Sequence, residues 1–199
     1  MQTYELGATG DRIMMVKNGD DGECINIVLM VKGQNIKCVQ FPPTRFAALC
    51  EHIDDVNIAA RAIESGSSDI KLRLHLGGGY HISVTSGYRC VDIRKFYKPY
   101  QATESEIRPT KRGIALRLDE WAHLCCLTQS LKDSHPSLSS QPCYLNHLDQ
   151  ATFLACTECR PFDTIPWTLT HPCNDFFHVM TCYKSSTLLL YYYYYYCNR

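Results

Sequence analysis

One stretch of this chain occurs twice, and the spacing between the copies constrains the fold more than any other feature. Residues 36–50, IKCVQFPPTRFAALC, align with residues 111–125, KRGIALRLDEWAHLC, at a constant offset of 75. Bulky apolar residues coincide in this alignment, as where Phe46 meets Trp121. A repeat of this length predicts two similar supersecondary units in tandem.

The similarity between the halves continues upstream, where both carry the signals of antiparallel strands. The segments ISV and CVDIRKFY alternate apolar and polar residues with a period of two, which is typical of strands with one buried face. On this alternation Arg94, Phe96 and Lys98 share one face of a strand. The run Gly77-Gly78-Gly79 predicts a turn, because glycine is free to adopt positive φ. Upstream of the aligned stretch, three segments of the first half resemble segments of the second half: 5–7 resembles 75–77, 12–16 resembles 80–84, and 24–33 resembles 89–98.

A helix is predicted after the last strand of each half. In the second half it begins near Asp119-Glu120, whose charges suit the positive end of the helix dipole. In the first half Thr44 is a candidate N-cap after two prolines. Apolar residues then recur at helical spacing: Trp121, Leu124 and Leu131 in the second half, and Phe46, Leu49, Ile53 and Val56 in the first.

These signals predict an α+β protein of two tandem units, each with a short strand, a turn, a second strand, a loop, a third strand and then a helix. A unit of about 65 residues is marginal alone, so the two are expected to share a core as an intramolecular pseudo-dimer. The expected boundaries are 1–66 for a degenerate first unit, 70–136 for the second, 137–160 for a Cys/His-containing extension and 161–199 for a low-complexity, disordered tail.

The charge of the chain is unevenly distributed. The formal net charge is zero, but residues 70–117 carry ten Lys or Arg against three Asp or Glu, a balance of +7. Residues 1–66 carry six basic and nine acidic side chains, a balance of −3. A basic block of this kind predicts a surface that binds an anion, and it lies in the second unit.

The twelve cysteines do not indicate a disulfide framework. Cys38, Cys50, Cys90 and Cys125 fall inside apolar strand or helix patterns, where a free thiol acts as a small hydrophobe. The chain opens without a signal-peptide pattern and contains no apolar run long enough to span a membrane. A reducing compartment, the cytosol or the nucleus, is therefore expected.

A second cysteine pattern follows the second predicted helix. Cys143-x3-His147-x8-Cys156-x2-Cys159 offers four ligands, enough for a closed tetrahedral zinc site. Packed or free thiols are the alternative, because the spacing of the first pair is irregular. No nucleophile motif, Walker loop or paired acidic motif appears, so we do not expect an enzyme.

Residues 80–124 resemble the positive-cofactor-four family of transcriptional coactivators. The segments VDIRKFY (91–97) and IRPTKRGIALRLDEW (107–121) match the family pattern in order and spacing, with an acidic loop between them. The resemblance implies a curved four-stranded sheet backed by a helix, dimerisation through the helices, binding of single-stranded DNA along the sheets and a nuclear coactivator role. Two departures stand out: the segment Thr85 to Arg89 is shorter and less basic than the corresponding family loop, and the first unit lacks most of the signature.

The resemblance also assigns candidate binding residues. Arg94, Lys111 and Arg112 occupy basic positions that contact DNA in the family, and Tyr97 stands where the family often has a stacking Trp. Single-strand binding combines cations that track phosphates with aromatic faces that stack on bases. The full candidate set is Tyr88, Arg89, Arg94, Tyr97, Arg108, Lys111 and Arg112.

The sequence thus predicts binding of single-stranded or melted DNA in transcription regulation. RNA and proteins of the transcription machinery remain further candidate partners, and oligomerisation beyond the pseudo-dimer stays open. The alternative is a protein-interaction scaffold of the same fold with little affinity for nucleic acid.

Overall fold

The computed structural model describes residues 2–18, 25–100 and 106–163; of the tail predicted at 161–199, residues 164–199 lie outside them. Two four-stranded antiparallel sheets follow each other along the chain, with strand orders β1-β2-β3-β4 and β5-β6-β7-β8. The first sheet comprises β1 (Gln2–Leu6), β2 (Arg12–Asn18), β3 (Ile25–Val31) and β4 (Gln34–Phe41). The second comprises β5 (Lys71–Gly77), β6 (Tyr80–Thr85), β7 (Cys90–Tyr97) and β8 (Arg108–Arg117).

Helices follow each sheet. The helix α1 (Pro43–Glu51) and the helix α2 (Ile53–Glu64) complete the first unit, and α3 (Leu118–Ser134) completes the second. The extension contains 3₁₀ turns at Pro136–Ser139 and Cys143–Asn146 and the short helix α4 (Gln150–Leu154). Within the described residues no helix is long and apolar enough to cross a membrane. The predicted α+β fold class is confirmed.

The helices of the two units begin at equivalent positions. Pro43 and Leu118, the first residues of α1 and α3, are 75 residues apart, which is the offset of the repeat. The preceding residues, Pro42 and Arg117, have the same backbone angles, φ −62° and ψ 162°. The prediction of Thr44 as N-cap was wrong, because the helix begins at Pro43 and Pro42 is its N-cap.

The first-unit helix is interrupted at His52, where one continuous helix was expected. The His52 N–H donates to the carbonyl of Leu49 at 3.2 Å, a tighter turn than the α-helix allows. The tighter turn changes the helical phase between α1 and α2. Val56 is consequently fully buried, whereas Ile53 is only partly buried.

Both sheets contain a register irregularity at the same point of the repeat. In the first, Met30 pairs with Cys38 but Val31 pairs with Gln34. In the second, Arg94 pairs with Gly113 but Phe96 pairs with Pro109. Cys38 and Gly113 are again 75 residues apart. The last strand of each sheet therefore carries a bulge, which increases twist and redirects the side chains within it.

One hydrophobic core runs through both units and contains residues of both sheets and all three long helices. The packing is reciprocal, since α1 lies against β5 of the second sheet and α3 lies against β1 of the first. The last strands, β4 and β8, pack alongside each other. Across the helices, Trp121 is 2% exposed and its Nε1 donates to Asn57 Oδ1 at 2.8 Å. This arrangement is consistent with the pseudo-dimer that the sequence predicts.

A glycine in the first turn of each sheet lies close to a helix of the opposite unit. Gly7, with φ +68°, lies so close to α3 that a Cβ there would sit 2.6 Å from Glu120 Cγ. Gly78, with φ +56°, approaches α1 so closely that a Cβ would clash with Arg45 Nη2. Arg45 and Glu120 are themselves 75 residues apart. The left-handed backbone favours glycine at both turns, and a side chain at either position would have to displace neighbouring side chains.

Candidate nucleic-acid interface and metal cluster

Arg94 projects from the face of the second sheet that lies opposite the core. Its strand neighbour Ile93 is fully buried, and alternate residues of a strand point to opposite faces. Nε and Nη2 of Arg94 donate to the two carboxylate oxygens of Asp92 at 2.9 Å each, and Nη1 donates to the Thr110 carbonyl at 3.0 Å. This hydrogen bonding to Asp92 raises the pKa of the Arg94 guanidinium.

Gly113 explains how Arg94 reaches this position. A Cβ at residue 113 would lie 2.7 Å from the Ile93 carbonyl oxygen and 2.9 Å from the Cα of Arg94. Strands β7 and β8 therefore approach more closely here than a side chain permits. Glycine at this point of the Lys-Arg-Gly-Ile segment is a packing requirement.

A groove lies between the two units where their bulged strands meet. This interunit groove has a volume of about 480 Å³. Its first-unit wall comes from the turns that follow β1 and β3 and from the bulged part of β4, and its second-unit wall comes from β7 and β8. Its charged lining residues are Arg12, Lys32, Lys37, Arg94 and Lys111, with Asp11 as the one acidic member among the described residues.

Three of the groove cations have carboxylate partners. Lys32 bonds to Glu5 at 2.5 Å, Arg12 lies 3.5 Å from Glu120, and Arg94 is paired with Asp92. Lys37 and Lys111 are different: both are exposed, lie in the bulges and form no ion pair within the described part of the chain. They are the groove charges most available to an incoming anion.

The other candidate residues are distributed along the second sheet rather than gathered at one point. Tyr88 is 68% exposed in the β6–β7 turn, beside exposed Arg89. Tyr97 is 46% exposed at the far end of β7, a strand that spans about 23 Å from Cys90 to Tyr97. Arg108 and Arg112 are exposed along β8.

Tyr97 and Arg94 lie on opposite faces of the sheet, because an odd number of positions separates them in a regular strand. Tyr97 lines a second opening, the aromatic cleft, of about 690 Å³. Phe96, which lies on the Arg94 face, also lines this cleft, so the cleft is not confined to the Tyr97 face. The aromatic cleft is also lined by Arg45, Tyr80, Lys95, Lys98, Glu158 and Phe162.

Phe96 is buried, but on the Arg94 face rather than in the main core. Its ring contacts the His81 ring edge to face at 4.9 Å, and Phe162 stacks on His81 at 6.5 Å. Burial, together with the nearby His75, lowers the pKa of His81 to about 4. Phe162, which follows the extension directly, thus covers part of the face that the sequence assigns to DNA.

Sequence reasoning missed the first-unit cations. Averaging over residues 1–66 gave a negative balance and concealed Arg12, Lys32 and Lys37. The repeat itself held the signal for one of them, since the offset of 75 places Lys37 on Arg112. Nothing in the local sequence places Arg12 or Lys32 beside Lys111, because that proximity depends on how the two sheets pack.

The four predicted metal ligands converge in the extension. Their ligand atoms all lie within 4.8 Å of one another, so the cluster could hold a metal ion. Cys143 Sγ lies 3.8 Å from His147 Nε2 and 3.7 Å from Cys156 Sγ, and His147 Nε2 lies 3.2 Å from Cys159 Sγ. Ligands at 2.0–2.3 Å from a tetrahedral ion are separated by about 3.3–3.8 Å from each other. The observed distances fall close to that range.

The family model described as the transcriptional coactivator p15 (PC4) matches residues 81–127. The matched segment runs from β6 through β7 and β8 into α3 and contains all seven candidate binding residues. It does not extend to the first unit or to the metal cluster. A comparison with curated proteins found no match.

Proposed function

We propose that this protein binds single-stranded or melted DNA and acts in the nucleus as a transcriptional coactivator. The family match of residues 81–127 supports a DNA-binding role in transcription. The interunit groove is the observation that carries the proposal, because cations of both units line one concave surface. The first unit, proposed as a degenerate copy of the second, would then contribute to binding rather than serve only as a packing partner.

The physical basis is electrostatic. Lys and Arg side chains that neutralise phosphates release condensed counterions, which makes binding both favourable and dependent on salt. The exposed rings of Tyr88 and Tyr97 offer stacking faces toward the two ends of β7, so unpaired bases rather than a rigid duplex suit this surface. The seven candidate residues of the second unit remain the proposed binding set, to which we add Lys37.

The decisive test is an anisotropy titration with a labelled single strand of about 20 nucleotides at several salt concentrations. We expect affinity to fall linearly on a logarithmic plot against salt, and a duplex of the same sequence to bind more weakly. An RNA strand of that sequence measures the preference for DNA. Absence of salt-dependent binding would favour the alternative of a protein-interaction scaffold.

We further propose Zn²⁺ as the ion of the metal cluster. Three thiolates and one imidazole in tetrahedral spacing are the donor set of a structural zinc site. Chain purified without added metal is expected to contain one zinc per molecule by elemental analysis. The double substitution Cys156→Ser and Cys159→Ser should abolish it, and wild-type chain that carries no zinc would disprove the proposal.

A further inference from the structure

The extension that carries the metal cluster bridges the two units. Glu158 lies between the two ligands of the Cys156-x2-Cys159 knuckle. Its carboxylate accepts three hydrogen bonds of 2.7–2.9 Å from Arg45, which belongs to α1 of the first unit. Its backbone carbonyl accepts a hydrogen bond of 2.7 Å from the N–H of Gly78, in the β5–β6 turn of the second unit.

The bridge is partly shielded from water. The Arg45 side chain is 11% exposed and that of Glu158 is 24% exposed. A forked guanidinium–carboxylate pair in such surroundings is stronger and more directional than a surface ion pair. Arg45 also lies over the Tyr80 ring, 4.7 Å from its centre, which ties α1 to β6.

The glycine run of the β5–β6 turn is shaped around this bridge. A Cβ at Gly77 would clash with the Glu158 carboxylate, and one at Gly78 would clash with the Arg45 guanidinium. Both residues have positive φ, at +111° and +56°. The turn therefore makes room for a residue that is 80 positions away in sequence.

The equivalent contact at the other end of the molecule needs no extension. There Glu120 of α3 approaches Gly7 and pairs with Arg12, so both charges come from the two units themselves. At the Gly78 end the helix supplies a cation, Arg45, and the carboxylate comes from the knuckle. We call each contact between a helix and the first turn of the opposite sheet a seam. The seam between α1 and the β5–β6 turn depends on the extension, whereas the seam between α3 and the β1–β2 turn does not.

We infer that the metal centre formed by Cys143, His147, Cys156 and Cys159 is a clamp between the two units, and that Glu158 transmits its effect. The inference rests on the proposed zinc. Ion binding fixes the knuckle, the knuckle places Glu158 between Arg45 and Gly78, and the seam between α1 and the β5–β6 turn closes. Metal binding and folding are coupled in this way in small sites whose ligands are not held together otherwise.

Hydrogen exchange of the full-length chain tests the clamp, with zinc content measured on the same samples. On chelation, exchange is expected to accelerate about tenfold in residues 43–51 and 77–80, and much less in β2 and β3. The variant Glu158→Gln should retain one zinc yet show faster exchange in residues 43–51. Glu64→Gln, an exposed carboxylate at the end of α2, is the matched control and should exchange like the wild type.

The outcomes separate the two proposals. One zinc per chain with unchanged exchange at both segments on chelation would refute the clamp and leave the zinc site intact. One zinc per chain with Glu158→Gln indistinguishable from Glu64→Gln would refute the role of Glu158. Chain without zinc would overturn the zinc site and the clamp together.

Discussion

The double substitution Lys37→Ala and Lys111→Ala isolates the interunit groove as the binding surface. Both lysines are exposed and form no ion pair among the described residues, so their removal should change the free energy of unfolding by less than about 0.5 kcal/mol each. They come from different units and face the same groove. A loss of binding can therefore be assigned to the groove rather than to misfolding.

The expected size of the loss follows from counterion release. Each phosphate contact to a single strand contributes a slope of about −0.7 in log K against log salt, so removing two flattens the slope by about 1.4. At 0.1 M salt each contact contributes a factor of about 5, and the double variant should bind about 25-fold more weakly. The difference should disappear as the salt concentration approaches about 1 M.

Anisotropy titrations at four salt concentrations measure both quantities. The matched control is Lys17→Ala with Lys71→Ala, which removes the same charge from two exposed strand positions, one in each unit, outside the groove. Equal losses in the two double variants would show that the overall field of the protein, not the groove, attracts the strand. A wild-type slope in the Lys37 and Lys111 variant would refute the groove.

Three further predictions concern the core, pH and stacking. Trp121→Ala should lower the free energy of unfolding by about 3–5 kcal/mol in urea, because the ring is buried; normal stability with weakened binding would make it a stacking residue instead. The pKa of His81, lowered to about 4 mainly by burial, makes the unfolded chain bind more protons than the folded chain between pH 6.5 and 4. Stability should therefore fall by up to about 3 kcal/mol as pH drops through that window, and His81→Gln should remove most of this dependence in urea unfolding; an unchanged dependence would assign it to other groups. Tyr97→Ala should weaken single-strand binding by about 1–3 kcal/mol at an unchanged salt slope, whereas a flattened slope would contradict a stacking role.

Local patterns in the sequence determined the strands of the second unit and the approximate start of α3 at Leu118. The alternation in β7 and the helical spacing of Trp121, Leu124 and Leu131 report which face each element buries, and these periods depend on residues close in sequence. The repeat offset of 75 recurs in the helix starts and in the bulged strands. The cysteine spacing also indicated the four residues that converge in the extension.

The interruption at His52 and the burial of Phe96 depend on tertiary packing and not on the local sequence. A helix with regular apolar spacing in its sequence can still contain one tighter turn where its two segments pack on different strands. Here α1 packs on β5 and α2 packs on β6. The alternation places Phe96 on the Arg94 face, but it does not indicate that the ring is buried there. It is buried on that face because His81 and Arg73 of the neighbouring strands pack against its ring, and Phe162 stacks on His81.

The tertiary structure alone decided where the charges of the two units meet. Lys37 and Lys111 face one groove only because β4 and β8 pack side by side, and Glu158 reaches Arg45 only because the extension lies across the seam. These partners are 74 and 113 residues apart in sequence. Sequence periodicity shows which face of each helix or strand is buried, but it does not determine which element packs against that face. That pairing depends on the fit of entire apolar faces in the shared core.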